Sequence, residues 1–444
     1  MSKKGRTRRR EPEPHPDPIT ITGVAEGGKG VARIDGKTVF VKGAMVGEVV
    51  MIEFIRRRPS YDDARLREVL EPSKYRQAPP CEFFSQCGGC SLQHQTSEGQ
   101  ITDKQAILLE QLTHIGRVAP EQVVAPLQGQ AWGYRGKARL SVRYVKAKQR
   151  VLVGFREKQQ RGITEMDSCR VLDKRVSALL APLAAMIEQL SIREEIPQIE
   201  VAVDDRVVVL IMRHMQIFSS EDRQLIRAFG DAHQVRIMLQ PAGLDSVHPL
   251  PPDSADPLSY QLPDYQLTIE FYPLQFTQVN NEMNRQMINQ ALGWLEVKQD
   301  DRVADLFCGV GNFTLPLATL AGEVVGVEGD ADLVKQAGRN AALNNISNVD
   351  FREQDLFVEI GSSLGHFDKL LLDPPRSGAQ LICENIENFK ATRIVYVSCN
   401  PATLARDAAV LVKQKGYRLV RTGVIDMFPH TSHVESMALF ELIE

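Results

Sequence analysis

No stretch of this sequence stays apolar for the ~18–20 residues that a bilayer span needs, which excludes a transmembrane helix. The N-terminus, Met1–Arg10, is basic but lacks the apolar core of a secretory signal, so a cytoplasmic location is expected. Cysteine is scarce, with seven in the chain, and no pair of Cys-x2-Cys arms is present, which excludes an ordinary zinc ribbon. There is no internal repeat, so a solenoid is excluded. Net charge is also nearly absent, at −3, and taken alone it would argue against a nucleic-acid partner.

The distribution of charge reverses that view. Residues 1–170 hold 30 Lys and Arg against 19 Asp and Glu, whereas residues 171–444 hold 23 against 37. Between Trp132 and Arg161 there are ten basic residues and one acid, Glu157. Each basic run alone reads as a solvated surface. Three separate clusters, Lys3–Arg10, Arg56–Arg58 and Arg135–Arg161, point instead to a phosphate-bearing partner held on one face.

A chain of 444 residues is too long for one hydrophobic core, so two to four domains are expected. Residues 1–18 are basic and then proline-rich, the composition of a flexible arm. Short β-like runs broken by glycine, such as Val39-Phe40-Val41 after Asp35-Gly36, predict a small closed β-barrel over residues 19–73. Cys81 to about Gly99 reads as a cysteine-bearing loop, followed by a helix from Ile101 to Ile115. Residues 74–264 read as a mixed α+β central domain, with a Pro/Asp/Ser-rich connection at His248–Pro263. From residue 265 to 444, apolar strands alternate with helices in the manner of a doubly wound α/β sheet. The expected strands are Arg302–Phe307, Glu323–Glu328, Asp350–Arg352, Lys369–Leu372 and Arg393–Val397, with Arg418–Thr422 and Ser436–Leu442 as a terminal hairpin.

Cys81, Cys87 and Cys90 follow Cys-x5-Cys-x2-Cys, with Gly88-Gly89 making a tight turn, and Cys169 lies far downstream. Clustered thiols in a reducing compartment read as metal ligands rather than disulfides. Four thiolates suit a tetrahedral zinc site or a 4Fe–4S cluster, and spacing does not choose between them. Cys308 and Cys383 have no such company, and Cys383 reads as helix core.

The α/β region carries Asp305-Leu-Phe-Cys-Gly-Val-Gly-Asn-Phe313, a glycine-rich turn between strand and helix. Thr314 stands where a dinucleotide fingerprint needs its third glycine, which argues against NAD. Glu328 ends the next strand, where it could bind both ribose hydroxyls of a nucleoside; Asp355 follows the third, and Asp373-Pro-Pro-Arg376 the fourth. Acids at consecutive strand ends in this order point to S-adenosylmethionine (SAM). Cys399, in Val397-Ser-Cys-Asn-Pro401 at the exit of a buried strand, is a nucleophile facing that cofactor.

On these motifs the chain resembles the RNA uracil-5 methyltransferases, most closely their 23S ribosomal RNA branch, RlmD. The resemblance covers nearly everything beyond the arm. It implies that residues 19–73 are a TRAM domain that binds RNA, and that Cys81, Cys87, Cys90 and Cys169 hold a 4Fe–4S cluster. It maps SAM contacts onto Gln278 (in Phe276-Thr-Gln-Val-Asn280), Phe307, Asn312, Glu328, Asp355 and Asp373. It maps the nucleophile onto Cys399 and the proton acceptor onto Glu435, in Pro429-His-Thr-Ser-His-Val-Glu435. His430 and His433 flank that base and read equally well as structural, so neither is given a catalytic role. The implied activity is formation of 5-methyluridine in 23S ribosomal RNA by a monomer.

Other readings are weaker. A cytosine-5 enzyme would carry a cysteine directly after the fourth strand, where this chain has Asp-Pro-Pro-Arg. Radical-SAM methylthiotransferases need Cys-x3-Cys-x2-Cys and an open iron. Transfer-RNA uracil-5 enzymes generally lack both barrel and cysteine cluster. A non-catalytic RNA-binding protein would have no use for both Cys399 and Glu435.

Overall fold

The computed structural model describes residues 13–158, 160–358 and 364–443. The basic cluster Lys3–Arg10, and most of the expected arm, lie outside them. The chain divides into two compact units. Met1–Pro80, Ser91–Ile107 and His430–His433 form one, and Cys81–Cys90, Leu108–Pro429 and Val434–Glu444 form the other.

The first unit is built on the β-rich N-terminal segment. Strand Val49–Arg57 alternates side chains inward and outward, so Val50, Ile52 and Phe54 enter the core while Met51 and Glu53 face out. Ile19–Thr20 pairs with that strand and Gly23–Ala25 with Lys29–Ile34, so the single stretch 19–25 joins the two edges and closes the barrel. Gly30 is required here, since a Cβ would fall 2.9 Å from the Ala44 carbonyl oxygen. Glu48 is fully buried below the barrel, where Met45 N–H donates to it at 2.9 Å and Arg76 pairs with both its oxygens.

The helix expected at Ile101–Ile115 runs from Ser97 to Gln111 and ends in a π turn, Leu112–Gly116. It starts early because the Thr96 hydroxyl accepts the Gly99 N–H at 3.2 Å and so satisfies a free end. In the second unit, six strands form a mixed sheet over residues 137–249, covered by helices Lys174–Gln189 and Ser220–His233. Leu140, Leu183, Ile199 and Leu210 are among the residues of its core. A hairpin, Leu258–Leu262 with Leu267–Phe271, follows.

The remaining sheet positions the chemistry. Within it the strands are β1 (Arg302–Leu306), β2 (Glu323–Glu328), β3 (Val349–Glu353), β4 (Lys369–Leu372), β5 (Arg393–Ser398), β6 (Tyr417–Ile425) and β7 (Glu435–Leu442). Their order is β3-β2-β1-β4-β5-β7-β6, and β1 to β5 pair in parallel. Order reverses between β1 and β4, the place where doubly wound sheets open a ligand crevice at their carboxyl ends. Helices α1 (Asn281–Leu295), α2 (Thr314–Ala318), α3 (Ala331–Leu343), α4 (Gln380–Glu384) and α5 (Pro401–Gln414) connect and cover the strands. Cys383, on α4, is fully buried, as expected of a core residue.

The expected terminal hairpin forms, and β7 inserts between β5 and β6. One feature differs from the sequence reading. Gln122–Val123, which sequence placed in the central segment, pairs in parallel with β6 and extends this sheet.

Candidate active site

The glycine-rich turn starts where β1 ends. Asp305 is wholly buried, and its Oδ2 accepts the Thr314 hydroxyl at 2.5 Å while Oδ1 has no hydrogen-bond partner. Burial pushes this carboxyl up to about 7, with Glu328 adding to the effect and the Thr314 hydroxyl opposing it. Phe307 is held at φ 71°, a left-handed conformation that costs a non-glycine residue ~1–3 kcal/mol. The N–H groups of Phe307 and Cys308 both donate to the Val327 carbonyl, at 2.9 and 3.0 Å, which pins the turn against β2. Gly309 and Gly311 follow at φ 55° and 91°. Glu328 accepts from the N–H groups of Gly309, Gly329 and Asp330 at 3.0, 2.8 and 3.1 Å. Three of its roughly four acceptor positions are thereby used.

The other expected cofactor residues lie around this turn. Asn312 is half-buried, with its amide bonded to Tyr260 and Asn284. Asp355 is exposed beyond β3 and accepts the Phe357 N–H at 2.9 Å, and the Phe357 ring meets that of Phe307 at 5.5 Å. Asp373 follows β4; burial and the neighbouring Asp305 raise its carboxyl to about 7. Gln278 is half-buried in the segment that leads to α1, which Asn280 caps by accepting the Met283 N–H at 3.3 Å.

Strand register sets the second half of the site. Ser398, last in β5, pairs with Ser436 in β7, and the Ser436 hydroxyl donates to the Ser398 carbonyl at 3.2 Å. In an antiparallel pair the next residue on one strand faces the preceding residue on the other. Cys399 is therefore set opposite Glu435 at the sheet's carboxyl edge. Asn400 caps α5 by accepting the Ala402 N–H at 3.1 Å, and Pro401 occupies the first helical turn, so the chain turns sharply just after Cys399. Burial pushes the Cys399 thiol up to about 11, with Glu435 and Asp373 adding and Arg376 opposing. Glu435 is 4% exposed. Burial first, then Asp373, holds its carboxyl well above the usual range, again against Arg376.

Asp305, Asp373, Glu435 and Cys399 thus form one electrostatically coupled group. Sequence reasoning gave no role to Asp305 or Arg376, although both stand in the motifs it quoted. Tyr260 and Asn284 carried no signal, because their contact to Asn312 crosses between separate elements.

A sequence profile for the family described as tRNA (Uracil-5-)-methyltransferase matches residues 97–442, and the TRAM domain profile matches residues 18–66. The chain belongs to the uracil-5 methyltransferase family. It is 49% identical over 429 residues to a 23S rRNA (uracil(1939)-C(5))-methyltransferase RlmD of Hahella chejuensis, covering 95% of this chain and 96% of that one. The RlmD of Nitrosospira multiformis is 48% identical over 430 residues, covering 95% and 98%. Among solved structures, the Pyrococcus abyssi tRNA (uracil-54, C5)-methyltransferase in complex with S-adenosyl-L-homocysteine superposes with a TM-score of 0.72. It is 22% identical and covers 95% of this chain and 99% of that one. The barrel is accordingly a TRAM domain, and the doubly wound sheet has the fold of this methyltransferase family.

In this family member the cysteines outside the sheet gather in the second unit. The Cys81–Cys90 loop is fixed to the end of strand Arg150–Gly154: Gly88 N–H donates to the Arg156 carbonyl and Lys158 N–H to the Gln86 carbonyl, at 2.8 and 2.7 Å. A Cβ on Gly88 would stand 2.8 Å from the Arg156 oxygen, so the turn needs glycine. Burial raises the Cys87 and Cys169 thiols, Cys81 raises both further, and Cys87 adds to the effect on Cys169. Tyr134 lies beside Cys90 and Cys169 and donates to the Pro429 carbonyl at 3.0 Å. Among the described residues, no group of three or more His, Cys, Asp or Glu is arranged to hold a metal ion.

The basic runs are partly neutralised. Lys148 and Arg150 both pair with Glu165, Arg139 with Glu200 and Lys146 with Glu194. Arg143, Lys146 and Lys148 nevertheless line a cleft of about 600 Å³ beside Gln86. Arg57 packs on Phe54 and pairs with Asp62. His430 is buried: its backbone N–H donates to Gln100 Oε1 at 2.8 Å, its carbonyl accepts from Ser91 and Leu92, and its ring Nδ1 lies 3.2 Å from Gln100 Nε2. Among the described residues, no helix is long and apolar enough to cross a membrane.

Proposed function

We propose that this protein methylates carbon 5 of a uracil in 23S ribosomal RNA, at the position named 1939 in its relatives, with SAM as donor. The observation that carries the reading is the pairing of Ser398 with Ser436, which sets Cys399 opposite Glu435 beside the glycine-rich turn. Carbon 5 of uracil is too weak a nucleophile to take a methyl group unaided. Addition of the Cys399 thiolate to carbon 6 breaks the 5,6 double bond and makes carbon 5 reactive as an enolate. SAM, when bound, supplies the electrophilic methyl group. Glu435 then takes the proton from carbon 5, and the electron pair so freed restores the double bond and expels the thiolate. A uracil stacked in RNA must be flipped out to reach Cys399, and the TRAM barrel and basic cleft offset part of that cost by holding the flanking nucleotides.

The residues fit a cationic, nucleoside-bearing cofactor. Phe307 offers an aromatic face, Glu328 has an acceptor left for a ribose hydroxyl, and Asp355 stands at the end of β3 for the adenine edge. Asp373 and the unpartnered Oδ1 of Asp305 offer carboxylate oxygens to ammonium or sulfonium charge, and Gln278 and Asn312 complete the set. Held near pH 7 by burial, both acids gain from a neighbouring cation.

Cys81, Cys87, Cys90 and Cys169 are proposed to hold a 4Fe–4S cluster, supported by the Cys-x5-Cys-x2-Cys spacing and by the effect of Cys81 on the Cys87 thiol and of both on Cys169. No catalytic step passes through it. Anaerobically purified protein should contain about four irons per chain and absorb in the visible. Iron that survives Cys169→Ser at full occupancy would sink the assignment. The four-part division (arm 1–18, barrel 19–73, central domain 74–264, catalytic domain 265–444) and a cytoplasmic monomer complete the proposal.

The deciding experiment incubates the protein with SAM and 23S ribosomal RNA containing 5-fluorouridine. Fluorine does not leave carbon 5 as a proton does, so a denaturation-resistant adduct should accumulate and map to Cys399. An adduct with transfer RNA alone would keep the chemistry and change the substrate. No adduct with either RNA would favour a non-catalytic RNA-binding protein.

A further inference from the structure

We infer that Tyr260 and Asn284 clamp the amide of Asn312 so that it can meet the cofactor only as a hydrogen-bond donor, which makes the hairpin Leu258–Phe271 a positioning element of the cofactor site. The inference rests on the SAM reading above. An amide side chain has two acceptor lone pairs and two donor hydrogens. Asn312 Oδ1 accepts the Tyr260 hydroxyl at 2.7 Å and Asn284 Nδ2 at 2.9 Å, so both lone pairs are used. Its own Nδ2 donates to Asn284 Oδ1 at 2.9 Å. One N–H remains, and with it the side chain can serve a carboxylate or hydroxyl oxygen but never a donor.

The clamp has a reason in the turn itself. Between Asp305 and Asn312 the chain passes through Phe307, Gly309 and Gly311 at positive φ, and two of these have no side chain to pack. Such a turn holds one shape only if its neighbours hold it. The hairpin does so twice. Tyr260, buried and paired in register with Ile269, reaches Asn312. Asn340 of α3 joins the Glu270 carbonyl to the Val310 carbonyl with bonds of 3.0 and 2.9 Å. Thr268 and Asn344 bond reciprocally at 2.8 and 2.7 Å, fixing the hairpin to the same helix.

The test measures S-adenosylhomocysteine binding to the full chain by calorimetry, with thermal melting in parallel. Tyr260→Phe keeps the ring and removes one hydrogen bond; it should weaken binding about five- to tenfold, with KM for SAM rising more than kcat falls. Asn284→Ala, on a helix that tolerates alanine, should weaken it similarly. The two together should weaken it by less than the product of the single effects, because both act through Asn312. A folded Tyr260→Phe or Asn284→Ala protein that binds within twofold of wild type, with only its melting temperature lowered, would show a packing role and overturn the inference. Wild-type protein that fails to bind S-adenosylhomocysteine would overturn the cofactor reading and this inference with it.

Discussion

Glu435 and Cys399 face each other under conditions that suit neither charge. Both are desolvated, both feel Asp373, and the opposing cation is Arg376. The thiol is therefore a weak acid in the free protein, and its alkylation by iodoacetamide should accelerate as pH rises towards about 11. Asp373→Asn removes one of the charges that raise it and should shift that profile to lower pH; an unshifted profile would show that Asp373 does not act on the thiol. Glu435→Gln keeps the shape of the base without its basicity. If Glu435 takes the carbon 5 proton, this variant should add, methylate and stop, leaving an adduct stable to denaturation on ordinary uracil. Turnover falling with no adduct on a gel would place Glu435 in binding instead.

At the scale of elements, the strands of the catalytic sheet were legible because buried parallel strands read as continuous apolar runs. Arg393–Ser398 is such a run, and its end at Ser-Cys-Asn-Pro announced the turn. The place of β7 between β5 and β6 was not legible, since antiparallel insertion leaves no local trace in either strand. The clamp on Asn312 was invisible for the same reason: Tyr260 and Asn312 are 52 residues apart and only the fold joins them. Glu48 shows what a local pattern hides. Its burial would raise its pKa, but the hydrogen bonds from Arg76, Met45 and Ser73 prevail and hold it below the usual range. A carboxylate with a depressed pKa contributes stability above its unfolded value of about 4.3, and that contribution is lost as pH falls through the folded value. Glu48→Gln should cost about 1–3 kcal/mol at neutral pH, since it strips Arg76 of a charged partner. The loss should shrink in acid. A cost that stays constant down to pH 3 would mean that the Glu48 charge contributes nothing.

Across the whole molecule, the sequence's charge asymmetry pointed to the phosphate-bearing partner class that the proposed function requires, yet it overstated how much positive charge is available. Arg150 and Lys148 spend theirs on Glu165, and Arg139 on Glu200. Arg143 lines the same cleft, together with Glu157 and Glu165, but takes no part in these pairs. Pairs this exposed contribute little to stability, but they do alter what an incoming phosphate meets. Binding of single-stranded RNA releases counterions, and log K falls with log salt at a slope of roughly 0.7 for each phosphate that the protein neutralises. Arg143→Ala should therefore flatten the salt dependence of ribosomal RNA binding by about that amount. Arg150→Ala should flatten it by less, because Arg150 is already engaged by Glu165. Equal effects from the two would mean that RNA displaces Glu165 on binding, and that the basic run counts in full as the sequence has it.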